Sequence, residues 1–161
     1  MSADIEWVLL SYRLPREPST PRISVWRKLK RLGVAQLGDG LVALPHDART
    51  REQFDWIAAE VEEAGGTATV WLGRPATARA NQDLADQLRQ ARAAEYRQLV
   101  SQALQALRDG EDRAAARRRL QAELHRIGRR DYFPSAERAL AAEAVAAIVD
   151  SDDVTVRGDD R

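Results

Sequence analysis

Between Ile5 and Leu72 the chain alternates short apolar runs with helix-period stretches in a single order, and few folds accept that order. Ile5–Leu10 (IEWVLL) is nearly all apolar, as a central strand covered on at least one face requires. Pro15, Pro18 and Pro21 then forbid regular structure, so residues 13–20 are expected to form a rigid loop. Ser19 or Thr20 can cap a helix with Pro21 at its first position, and Gly33 stops it after Leu32. Val34–Leu37 and Leu41–Leu44 flank Gly38-Asp39-Gly40, which reads as a hairpin. From Thr50 to Ala64, Phe54, Ile57, Ala58 and Val61 recur at helical spacing, and Gly65-Gly66 ends the pattern. The β-branched run Thr67–Leu72 supplies a fourth strand. The order β-α-β-β-α-β predicts a ferredoxin-like sandwich over residues 3–75.

After Pro75 the composition shifts to Ala, Gln, Arg, Glu and Leu, which predicts a helical extension over 76–150. One long helix is expected over 77–108, a second over 112–127, and a third from a cap at Ser135 to about residue 150. The tail 151–161 reads as flexible and acidic. The fold class is therefore α+β, a βαββαβ sandwich followed by three helices.

Basic and acidic residues balance at 25 each, but they are not evenly placed. Between Ser11 and Gly33 stand seven basic residues (Arg13, Arg16, Arg22, Arg27, Lys28, Lys30 and Arg31) against one Glu; between Asp39 and Gly65 seven acidic residues face two Arg. On the first helix Val25, Trp26, Leu29 and Leu32 share one side at 100° per residue, with Arg27, Lys28 and Arg31 roughly opposite. Those seven cations are candidates for contact with nucleic-acid phosphates. The plain alternative is a solvated helix face paired with the acidic second helix or with another chain. A second cluster, Arg117, Arg118, Arg129 and Arg130, is a candidate oxyanion site through guanidinium forks; the exposed side of a surface helix is the plainer reading and the preferred one.

Nothing in the sequence has the form of a catalytic centre. Cys is absent, which removes disulfides, thiolate metal sites and a cysteine nucleophile. His46 and His125 lack partners at ligand spacing, and there is no phosphate loop, nucleophile elbow or zinc pattern. Neither a metal nor a cofactor is expected. The four Trp residues fall on core elements and read as packing or interface residues. With no visible signal peptide and no long apolar run, the expected location is cytoplasmic and away from membranes.

The segments Tyr12-Arg13-Leu14-Pro15, Pro18-Ser19 with Arg22, Val25-Trp26-Arg27 through Gly33, and Leu44-Pro45 together resemble the opening of the chromate-resistance protein ChrB family, in its N-terminal domain. Gly66–Trp71 and Arg129-Arg130-Asp131-Tyr132-Phe133 extend the likeness to about residue 148. The resemblance implies a regulator of chromate-resistance operons that binds operator DNA, responds to chromate or another oxyanion, and forms a homodimer. Family members carry a further C-terminal domain linked with oxyanion response, so a module acting with a separate partner of that kind is the alternative. The opening is also similar to PaaX-type repressors and to the small metal-dependent nucleases of CRISPR adaptation. Those nucleases place a metal-binding Asp directly after the Tyr, where this chain has Arg13. A cation there repels a divalent metal, so the chain is expected not to be an enzyme.

Overall fold

The computed structural model describes residues 4–149; the expected tail at 151–161 lies outside them. Four strands and five helices follow in the order β1 (Trp7–Arg13), α1 (Thr20–Leu32), β2 (Ala35–Gly38), β3 (Leu41–Pro45), α2 (Ala48–Glu63), β4 (Thr67–Gly73), α3 (Ala78–Asp109), α4 (Arg113–Arg129) and α5 (Ala136–Ala146). The strands form one antiparallel sheet in the order β2-β3-β1-β4, the arrangement of a ferredoxin-like sandwich. The chain divides into two compact units, 1–88 and 89–161.

In the first unit, strand alternation fixes the core. Val8 and Leu10 of β1 and Val42 and Leu44 of β3 are fully buried, together with Val25 and Leu29 of α1 and Phe54, Ile57 and Val61 of α2. Antiparallel pairing sets Val8 beside Leu44 and Leu10 beside Val42, so one sheet face carries a continuous apolar layer. The first turns of α3 also belong to this unit, and the buried indole of Trp7 donates to Oδ1 of buried Asn81 at 2.6 Å. That bond satisfies the one polar atom an otherwise apolar ring carries inward. The division at Leu88–Arg89 falls inside α3 rather than at its start.

Local chemistry sets most boundaries. Gly33 ends α1 in the left-handed region at φ 71°. Gly40, at φ 69°, turns the β2–β3 hairpin so tightly that a Cβ there would strike the carbonyl oxygen of Tyr12, which lies against the turn. Asp47 caps α2 through a capping box: its side chain accepts from the Thr50 N–H at 2.7 Å, and Thr50 Oγ1 accepts from the Asp47 N–H at 3.0 Å.

Several expectations need correction. β1 continues through Arg13, which pairs with Thr67, because the first proline able to stop it is Pro15. Ser19 and Ser135 stand at the N-cap positions of α1 and α5, yet neither side chain accepts a capping bond. α5 ends at Ala146 rather than near 150. Trp26 does not join the core: it is 53% exposed, since Val25 and Leu29 centre the buried side and Trp26 falls at its margin. Trp56 and Trp71 are exposed as well, leaving Trp7 as the one buried indole of the four.

The second unit packs α3, α4 and α5 around Tyr96, Leu99, Ala103, Leu120, Ile127, Ala141, Val145 and Ile148. Tyr96 donates to Oδ2 of Asp131 at 2.9 Å, pinning the turn between α4 and α5 onto α3. Burial and this bond push the Tyr96 phenol up to about 12.

Candidate nucleic-acid interface

α1 positions the cations that the sequence singles out. Its inward stripe is Val25 and Leu29, so the remaining circumference is free for charge. Arg22, Arg27, Lys30 and Arg31 are exposed on the helix, and Arg16 is exposed in the loop before it. Arg13 is exposed at the last position of β1. The helix also has no acidic residue in its first turn and carries Lys30 and Arg31 in its last. Lys and Arg in the last turn suit the negative end of the helix dipole, which explains why the charge is tolerated locally.

Lys28 differs from the rest. It is bonded and ion-paired to Oε2 of Glu60 on α2, while Ser24 Oγ donates to Oε1 of the same carboxylate at 2.9 Å. The Lys28 and Ser24 bonds hold the Glu60 carboxyl below the usual carboxylate range, against the opposing effect of burial. Lys30 sits over the Trp26 ring, 4.4 Å from its centroid, a stacking that keeps the ammonium accessible. Arg13, Arg16, Arg22, Arg27 and Arg31 have no ion pair among the described residues. The pairing of the basic helix with acidic α2 thus accounts for one of seven cations.

Near Arg22, the Tyr12 hydroxyl is pushed up by burial and partly offset by the Arg22 charge. A groove between α1 and α2, about 320 Å³, is lined by Lys28, Arg31, Gln53, Trp56 and Glu60. The chemistry available on this side is electrostatic, with fixed positive charge at low desolvation cost.

The second cluster divides. Arg118 and Arg129 are separated by eleven residues of α4, roughly 17 Å along its axis, so one small oxyanion cannot meet all four arginines. Arg129 Nε donates to His125 Nε2 at 3.3 Å. Arg130 Nη1 donates to both Glu95 carboxylate oxygens at 2.8 and 3.0 Å.

The sequence reading missed what surrounds Arg130. Arg92, with a side chain 12% exposed, lies 3.4 Å from Glu95, and Arg138 lies 3.9 Å from the buried carboxylate of Asp131. Burial lowers the Arg92 pKa, and Glu95 opposes that shift. Arg92 and Arg130 share Glu95 and Arg138 approaches Asp131, so each of these three guanidinium groups already has a carboxylate neighbour. Partners 35 residues apart leave no periodic signature. Among the described residues no group of three or more His, Asp or Glu could hold a metal, and no helix is long and apolar enough to cross a membrane.

Fold and surface define the class: a ferredoxin-like α+β domain with an exposed cationic helix, continuing into a three-helix unit. Comparison with known proteins specifies it. The chain belongs to the ChrB N-terminal family, matching the family described as "Protein ChrB, N-terminal" over residues 22–153. It is 29% identical over 155 residues to Protein ChrB of Cupriavidus metallidurans, covering 87% of this chain and 44% of that protein. The chain therefore spans less than half the length of that relative. No solved structure matches it.

Proposed function

We propose that the chain is a ChrB-type regulatory protein of chromate resistance that binds operator DNA through the exposed side of α1. One observation carries this reading: six of the seven cations gathered between Arg13 and Arg31 are exposed and have no carboxylate partner among the described residues. Unpaired guanidinium groups on a rigid helix meet phosphates without first giving up an internal partner. Contacts of this kind position DNA, and each neutralised phosphate steepens the salt dependence of binding. On this reading the protein acts in the cytoplasm and has no catalytic role, with Arg13 standing where the related nucleases hold metal. Divalent-dependent cleavage of DNA by the purified chain would contradict the non-enzymatic part.

The test is a fluorescence-anisotropy titration of the chain against a duplex from upstream of its own gene, at two salt concentrations. Affinity that falls steeply with salt is expected; absent or salt-independent binding overturns the DNA reading. Repeating it with chromate shows whether this chain itself senses the oxyanion.

A second reading is favoured by a separate surface. The sheet face opposite α1 and α2 bears an apolar groove of about 820 Å³, lined by Trp7, Leu9, Leu37, Leu41, Trp71 and Leu84 among others. Such a surface suits an interaction module working with a separate C-terminal ChrB-type partner. Mixing the chain with that partner domain and measuring mass by light scattering decides it: a complex supports the module, and two unchanged masses exclude it.

A further inference from the structure

We propose that the outer edge of β4 is a self-association surface on which a second copy of this chain adds its own β4 antiparallel. The inference stands independently of the DNA reading. β4 pairs along its whole length with β1, from Thr67 opposite Arg13 to Gly73 opposite Trp7. It is terminal in the sheet, so its other edge has no strand neighbour among the described residues. That edge presents a row of backbone N–H and C=O groups able to pair with another strand.

Proteins ordinarily guard such edges with charge, proline, a bulge or shortness. β4 has none of these. It is seven residues long, T-A-T-V-W-L-G, without a charged residue or proline, and its pairing with β1 shows no register shift. Trp71 and Leu72 are 54% and 49% exposed. The opposite edge is built differently: β2 has four residues and a register shift between Gln36 and Gly38. One edge of this sheet is therefore guarded and the other is open.

The sequence of β4 selects a second copy as occupant. A two-fold axis through Val70 sets each Thr69 beside Trp71 of the other copy, each Ala68 beside Leu72 and each Thr67 beside Gly73. The Thr–Trp pairs are of the β-branched–aromatic kind that stabilises antiparallel strands, and no like charges meet. The contact is isologous and occupies the open edge of both copies. Because β2 is guarded, assembly closes at a dimer instead of growing into a fibre. Trp71 and Leu72 also line the apolar groove on the sheet, so association covers part of its rim.

The test is sedimentation of the full chain alongside the variant Thr69→Lys/Leu72→Lys, which adds charge at two exposed edge positions, and Leu37→Lys on β2 as a control. The wild type and the control are expected at twice the 18.0 kDa chain mass. The β4 variant is expected as a monomer with unchanged circular dichroism, its dissociation constant raised at least about tenfold. Because the chain has no cysteine, Val70→Cys supplies a second measurement that does not depend on the double variant folding. Mild oxidation should convert it to a covalent dimer, whereas Ser101→Cys should not respond. A monomeric wild type, a dimer indifferent to the β4 lysines, or equal oxidation of the two cysteine variants overturns the proposal.

Discussion

Replacing Glu60 by Gln separates the two roles that α1 could have, because among the described residues Glu60 is the one carboxylate ion-paired to a cation of this face. The side chains of the pair are 43% and 28% exposed, so breaking it costs only about 0.5 kcal/mol of stability. Ser24 can still donate to the Gln amide oxygen, and α2 keeps its packing through Phe54, Ile57 and Val61. The electrostatic consequence is larger. Removing one negative charge roughly 10 Å from a phosphate relieves about 0.4 kcal/mol at the dielectric constant of water. Two such phosphates give about fourfold tighter DNA binding at low salt. Lys28, freed from its partner, can add one phosphate contact, steepening the slope of log affinity against log salt by about 0.9. Anisotropy titrations of wild type and Glu60→Gln over a salt series measure both quantities. Weaker binding, or an unchanged slope with unchanged affinity, would show that α1 does not face the polyanion.

Three further outcomes follow from the fold. Tyr96→Phe keeps the buried ring but leaves the Asp131 carboxylate without its phenol donor, a loss of about 2 kcal/mol in urea unfolding at neutral pH. The phenol is raised from 10.0 to about 12 in the folded state, so its contribution is complete below pH 10 and fades as pH rises from there to about 12; the wild type should lose stability in that window relative to Tyr96→Phe. Asp47→Ala removes the side-chain acceptor of the α2 capping box while leaving the backbone N–H at 47 to donate to Thr50 Oγ1, and should cost about 1 kcal/mol by thermal denaturation, with no change in DNA affinity. Gly40→Ala combines a disfavoured φ with a collision at the Tyr12 carbonyl, and should lower stability by more than about 1 kcal/mol while leaving the second unit's near-ultraviolet signal intact.

What was legible in the sequence was local. Gly33, the Gly38–Gly40 turn and the Phe54–Val61 periodicity each act within a few residues, so strand order and helix positions followed from them. The margin of a helix face was harder to read. Trp26 lies 100° from Val25, and an indole there can turn inward or lie outside beneath Lys30. The Arg92–Glu95–Arg130 network is invisible to periodicity because its members meet only after α3 and α4 have packed. Likewise, α3 runs without interruption through the division between the units, so nothing in its sequence marks Leu88–Arg89 as a boundary. Basic residues could be counted in advance; which of them would be neutralised depended on α2 presenting Glu60 beside Lys28.

Whether the positive charge on α1 and the loop before it is available to a polyanion is read from the salt dependence of duplex binding for wild type and for Arg22→Ala/Arg27→Ala/Arg31→Ala, with circular dichroism confirming the fold. The triple variant is expected to bind more weakly and to lose about 0.9 from the slope for each arginine that meets a phosphate. A variant that binds like wild type with the same slope would contradict this expectation.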